Sequence, residues 1–326
     1  MEQILLCNTD KQYLGGVYRI LLDPKKGTLS HYKRILLEKE PNDICFDLNN
    51  HLFIACRTDQ GGGIVSYDNN MSNYQQIDRT FEEPSAPFRL AIQKEWGVLI
   101  SAHRDGSLYS YTIEQSGNLI REQQVEVEED IIDCVLTNDN VLMVSLKKEP
   151  AFVCYQVSHN GHLKWIGKTT FPFVEAFSHL TFHSKNQYFY ALNQEMHHLH
   201  VFQYEVGGTI THVHSYRTVP QHQKGIATDM VLWKDRCLFI SNRETNTISV
   251  FKLENEGHDV TYLNSIACEG IAPITMRLNR QQNYLFVMNA FTNNLSLFKI
   301  HSCGHIELCS YDTKVPGIRA MISSEV

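Results

Sequence analysis

Apolar and polar positions alternate along most of this chain in short runs broken by polar turns, and no segment carries the apolar stripe of a helix. The clearest run is Tyr284-Leu285-Phe286-Val287-Met288-Asn289, followed after a turn by Leu295-Ser296-Leu297-Phe298-Lys299-Ile300. One copy earlier stand Cys237-Leu238-Phe239-Ile240-Ser241-Asn242 and Ile248-Ser249-Val250-Phe251-Lys252-Leu253, and before those Tyr188-Phe189-Tyr190-Ala191-Leu192-Asn193 and His200-Val201-Phe202-Gln203-Tyr204. A period of two, rich in β-branched and aromatic residues, predicts strands. The connections, such as Asp23-Pro24-Lys25-Lys26-Gly27, Ser116-Gly117-Asn118 and His159-Asn160-Gly161, have turn chemistry.

Aligned on this unit, the position of Asn289 recurs at Asn8, Cys56, Ala102, Leu146, Asn193 and Asn242. The aromatic of the second strand recurs at Tyr18, Tyr67, Tyr111, Tyr155, Phe202, Phe251 and Phe298. Both markers keep a spacing of 44 to 49 residues, and seven such units account for all 326 residues. A repeat of that length holding about four strands is a propeller blade. The Gly-His and Trp-Asp marks of WD-type repeats are absent. The expected fold is therefore an all-β, seven-bladed β-propeller, one domain over residues 1–326. The first copy lacks the strand that precedes its hairpin elsewhere. Val315-Pro316-Gly317-Ile318-Arg319-Ala320-Met321, which parallels Ala272-Pro273-Ile274-Thr275-Met276-Arg277-Leu278, is expected to supply it beside Ile4–Asn8 and close the ring.

Charge narrows the partners. The formal net charge is −7 and Lys and Arg are nowhere concentrated, which argues against nucleic acid or an anionic membrane surface. No apolar run reaches the ~20 residues of a membrane span, and Glu2 stands where a signal peptide carries basic residues. The nine cysteines are scattered without a Cys-x-x-Cys pair, and most lie in apolar strands (Cys45, Cys56, Cys134, Cys154) as small hydrophobes. A cytoplasmic protein is expected.

In a propeller the innermost strands line a channel, and loops at one mouth form the usual ligand site. Two residues into each inner segment stand Asp43, Arg89, Asp133, His179, Asp229 and Thr275. Unpaired charge on converging strands is costly. The residue after each marker gives a second ring, Thr9, Arg57, His103, Lys147, Gln194, Arg243 and Ala290. Such a mouth suits a small anion held by Arg57, Arg89 and Arg243. In the plainer reading the channel polar groups are solvated, and Asp43, Asp133 and Asp229 only tie turns or neighbouring blades. His197, His198 and His200, with His212 and His214 beyond, read as a surface cluster without an acidic or thiol partner at fixed spacing. Gly61-Gly62-Gly63 reads as a turn, lacking the Lys-Ser/Thr and helix of a phosphate loop.

Leu238-Phe239-Ile240-Ser241-Asn242-Arg243 with Asn246-Thr247-Ile248-Ser249-Val250-Phe251 resembles the seven-bladed lactonases of the 6-phosphogluconolactonase type. So do Gly15-Gly16-Val17-Tyr18, Asp59 to Tyr67, His179-Leu180-Thr181-Phe182-His183 and Tyr190-Ala191-Leu192-Asn193. The resemblance spans the chain. It implies hydrolysis of a sugar-derived, phosphorylated or plain, lactone in carbohydrate metabolism such as the pentose phosphate pathway, with no cofactor or metal. His179 would be the base and Arg243 the oxyanion or carboxylate partner. Asp133 or Asp229 would orient the His or serve as base, and Arg57, Arg89, His103, Gln194 and Asp43 would contact substrate. Where the family carries Pro-Arg-His this chain has Phe177-Ser178-His179, and where it carries Pro-Arg in the seventh blade this chain has Pro273-Ile274. A non-catalytic propeller that binds a small anionic metabolite or a protein partner is the alternative.

Overall fold

The computed structural model describes residues 1–9, 15–58, 61–69, 74–83, 85–173, 175–185, 187–193, 197–223 and 225–323. Among the described residues, twenty-eight strands form seven four-stranded sheets, each an antiparallel meander. Blade 1 runs Ile318–Ser323, Glu2–Asn8, Gly16–Asp23, Thr28–Leu36 from one edge to the other, and blades 2 to 7 follow in chain order. Their innermost strands are Asp43–Phe46, Pro87–Gln93, Ile131–Leu136, Ser178–Phe182, Ala227–Trp233 and Pro273–Leu278. No helix among the described residues is long and apolar enough to cross a membrane.

The ring closes as the sequence suggests, with Leu6 opposite Met321 and Leu5 opposite Ile322. The closing strand begins three residues later than expected, however. Ile318, not Pro316, takes the place of Pro273, since Ile318 pairs with Asn8 as Pro273 pairs with Asn289. Arg319 thereby stands where blade 7 has Ile274.

Alternation also explains the core. Ile4 and Leu6 face blade 7 and join Phe286, Met288 and Leu297, whereas Leu5 and Cys7 face blade 2 and join Ile44, Phe46 and Ile54. Side chains of a strand point to opposite faces in turn, so a central strand feeds two seams at once. Each of the seven seams holds its own apolar cluster. The seam of blades 4 and 5 is aromatic, with Phe152 stacked on Phe177 at 4.9 Å and Phe177 edge-on to Phe202 at 5.1 Å. That fixes the chain two residues before His179.

Candidate active site

The three inner-strand aspartates do one structural job. Asp43 accepts the N–H of Ile44 at 3.0 Å and, across the seam, that of Leu90 at 2.9 Å. Asp133 accepts from Cys134 at 3.0 Å and Leu180 at 2.9 Å, and Asp229 from Met230 at 2.8 Å and Met276 at 2.6 Å. Each carboxylate thus ties its blade to the next, the plainer of the two readings. All three are buried. Two also hold arginines. Arg89 donates Nε and a terminal N–H to Asp133 Oδ1, each at 2.8 Å, and Arg277 reaches Asp229 at 3.2 Å.

Electrostatics separates them. Burial, the largest influence, pushes the Asp133 carboxyl up, but Arg89, His179 and the Leu180 N–H together outweigh it and hold it below the ordinary value. Burial wins at Asp43, which is raised against the pull of Arg89, the Leu90 N–H and Arg277. Asp133 also leads the influences that raise Arg89.

His179 occupies the same ring in blade 5. There the bulge is displaced: Ser178 pairs with Leu192 and Thr181 with Tyr190, and His179 takes φ 52°. A non-glycine residue in the left-handed region is uncommon, and such strain concentrates at functional sites. Burial lowers its pKa, opposed by Asp229 and Asp133 and assisted by Arg89 and Arg277. Its shielded Nδ1 has no hydrogen-bond partner among the described residues, so neither aspartate orients the ring by a bond.

The second ring contains one displacement. In blade 3, Pro87 pairs with His103 and Arg89 with Ala102, so His103, not Ala102, is the marker. Asn8, Asn193 and Asn289 each donate to a carbonyl of the segment before their own inner strand, Pro316, Glu175 and Cys268. His103 binds the Ser85 carbonyl through Nδ1 at 2.9 Å and Ser101 Oγ through Nε2 at 3.1 Å. It is fully buried, and burial lowers its pKa to about 4. His103 therefore does the work of the marker Asn inside the blade and does not face the mouth. The mouth residue of blade 3 is Arg104, exposed with its guanidinium 4.7 Å from the centroid of Phe88.

Five guanidinium groups line one cavity of about 740 Å³ at this mouth: Arg57, Arg89, Arg104, Arg277 and Arg319. His179, Asp43 and Glu40 share it. Arg57, Arg104 and Arg319 are exposed and have no carboxylate partner among the described residues. Arg277, Arg319, Arg104 and Glu40 were not reached from sequence. A His performing an asparagine's role hid the first register, and the late start of the closing strand hid Arg319. On the far side of the ring, Asp133, His179, Asp229, Arg89 and Arg277 line the channel proper, about 350 Å³.

Arg243 is not in the first cavity. It lines an adjoining one of about 480 Å³, joined to the first through Thr9, Ile274 and Arg319, with its guanidinium 5.4 Å from the ring centroid of Phe291. The expected grouping of His179 with Arg243 thus spans two neighbouring cavities, and Gln194 lies outside the described residues. Of the histidine run His197, His198 and His200, the last two lie on the strand His198–Glu205, and none of the three lines the cavities of the mouth or channel. His200 is buried among Phe173, Phe177 and Phe202, its Nδ1 2.9 Å from Ser215 Oγ. Among the described residues, the ligating atoms that do gather belong to His214, His258 and Asp259, within 4.8 Å of one another on the outer rim between blades 5 and 6.

A family model described as "Lactonase, 7-bladed beta-propeller" matches residues 3–322. A protein from Lactobacillus plantarum superposes with a TM-score of 0.92 at 23% identity, covering 100% of both chains. The periplasmic gluconolactonase PpgL of Pseudomonas aeruginosa gives 0.88 at 17%, covering 100% of this chain and 99% of that one. The 6-phosphogluconolactonase of Bacillus subtilis is 20% identical over 280 residues, 79% of each chain. At these identities the structural likenesses establish the fold alone.

Proposed function

The chain belongs to the seven-bladed β-propeller lactonase family, and from that premise we propose that it hydrolyses a sugar-derived lactone carrying an anionic group at the arginine-lined mouth. The observation that carries this reading is the convergence of Arg57, Arg104, Arg319 and His179 on one cavity. His179, neutral because burial disfavours its charged form, takes a proton from water as that water attacks the lactone carbonyl. An arginine of the mouth meets the oxyanion of the tetrahedral adduct, and charge-assisted bonds from the others hold the phosphate or carboxylate. The adduct collapses by breaking the ring C–O bond, and the imidazolium returns its proton to the leaving alkoxide. Water and lactone become a hydroxy acid.

Asp133, Asp229 and Asp43 are assigned to the frame and its field, Arg89 and Arg277 to contact with substrate from paired positions, and Arg243 to the adjoining cavity. No metal is required by this scheme. We assign the protein to the cytoplasm, a reading that the burial of seven of its nine cysteines as small hydrophobes supports.

The test is hydrolysis of a panel of plain and phosphorylated sugar lactones, with and without chelator. Wild type is expected to exceed buffer, unaffected by chelator, and His179→Ala to lose ~10²-fold or more in kcat. Wild type no faster than buffer would transfer the reading to a metabolite-binding propeller. Loss of activity to chelator would overturn the metal-free scheme.

A further inference from the structure

The cavity around Arg243 differs in chemistry from the one beside it. Ala272, Ile274, Met288, Ala290, Phe291 and Ile318 form its apolar wall; Arg319 stands where it meets the first cavity, and Arg243, beside Phe291, is the one guanidinium that belongs to it alone. Its Phe291 is 67% exposed, unexpected on a polar channel mouth, and Ile271, paired with Phe291 just outside the lining, is 49% exposed. Large exposed apolar side chains grouped at a concave site mark binding surfaces more often than ornament.

The rim that carries them is held fast. The N–H of Ala290 donates to Ala272 O at 2.8 Å and that of Phe291 to Ile271 O at 3.0 Å. Ile271 N–H donates to Thr292 Oγ1 at 3.0 Å and Ala272 N–H to Asn246 Oδ1 at 2.8 Å. Ala272 sits at φ 60°, a conformation that only such a frame would keep in a non-glycine residue. Phe291 is therefore presented to the cavity on a fixed backbone. Ile274, where an arginine is expected from the family resemblance, and Ala290, where other blades place polar groups, remove charge from that same wall.

Resting on the lactonase reading, we infer that the substrate is bipartite: an anionic lactone whose ring carries an apolar substituent, aromatic or short acyl, that fills the space under Phe291. The anion lies against Arg57, Arg104 and Arg319, and the substituent passes Ile274 into the apolar annex. A volume of about 480 Å³ is ample, since roughly 150 Å³ accommodates a benzene ring.

The experiment is a series of carboxylated γ- and δ-lactones whose ring substituent grows from hydrogen through methyl and propyl to phenyl. In wild type, kcat/KM should rise by about fourfold per buried methylene. Phe291→Ala, which truncates an exposed side chain, should cut the ratio of phenyl-substituted to unsubstituted kcat/KM about tenfold, and Ala290→Asp should abolish it. A ratio that is flat in wild type, or unmoved in both variants, would overturn the annex while leaving a lactonase. If no lactone in the series is hydrolysed, the catalytic reading fails, and calorimetry with the corresponding hydroxy acids still decides the annex. Tighter binding of the phenyl-substituted acid, lost in Phe291→Ala, supports it, and equal affinities refute it.

Discussion

Replacing Asp133 by Asn tests whether the inner carboxylates are frame or machinery. The carboxylate offers Oδ1 to Cys134 and Arg89 and Oδ2 to Leu180. An amide offers one oxygen, so an NH₂ must face either the Leu180 N–H or the Arg89 guanidinium. A buried N–H left without an acceptor costs about 1–3 kcal/mol, and a lost hydrogen bond to a charged group about 1.5–3 kcal/mol. Arg89 is only 28% exposed at its side chain, so water recovers little of this. With one of these costs incurred we expect about 2 kcal/mol. For 326 residues the unfolding entropy near 60 °C is roughly 0.7 kcal/mol/K, which makes the change about 3 °C in Tm. Asp43→Asn removes the equivalent tie, but also a carboxyl that burial disfavours, and should stay within about 1 kcal/mol of wild type. Scanning calorimetry of both variants at neutral pH, with lactone turnover measured well below Tm, separates the roles. An Asp43→Asn variant as destabilised as Asp133→Asn would refute the ranking. Asp133→Asn with an unchanged Tm and turnover lost by ~10²-fold would make Asp133 the base.

Three further outcomes are expected. The His103 ring takes its proton near pH 4 when folded and near 6.5 when unfolded. Stability is thus full above about 6.5 and falls as pH drops, by about 2 kcal/mol between pH 7.5 and 5. His103→Asn, restoring the marker residue of other blades, should remove that share of the loss in urea midpoints at the two pH values, and an unaltered slope would contradict it. Arg57→Ala, Arg104→Ala and Arg319→Ala should each raise KM for an anionic lactone about tenfold with kcat less affected, the penalty shrinking in high salt. Steady-state kinetics at two ionic strengths checks this, and no change in any variant would remove the anion site. Deletion from Val315 onward uncovers the inner edge of Ile4–Asn8 and should yield an aggregating chain by size-exclusion chromatography. A monomeric, native-like product would mean closure is dispensable.

The seven-fold repeat was legible because apolar periodicity is imposed at every seam, leaving each blade little freedom to vary. The site was less legible because it hangs on single-residue register at bulges. At Pro87/Arg89, Ile131/Asp133, Ala227/Asp229 and Pro273/Thr275 one residue is absorbed without a pairing partner. Counting by fixed spacing then lands one or two places away, as it did at Ala102 and at Pro316. Arg57 was found because the marker of its blade kept the common register, and Arg89 because its inner strand did although the marker of the same blade did not. Arg104 was missed by one residue, since a histidine that binds a carbonyl is not read as an asparagine. The aspartates were visible as a ring, but their ties to Leu90, Leu180 and Met276 depend on backbone N–H groups that no side-chain pattern records.

The closing strand has a consequence for biosynthesis. Asn8 bonds to Pro316, 308 residues away, so the first blade cannot be finished until nearly the whole chain has left the ribosome. At about 5–20 residues per second this wait lasts on the order of 15–60 s. Throughout it, Glu2–Asn8 offers an unpaired edge to any passing strand, while the blades of the middle can already be stacking. Translation speed late in the message, and chaperone cover early on the nascent chain, would therefore govern the yield of closed rings more than the stability of the finished propeller does.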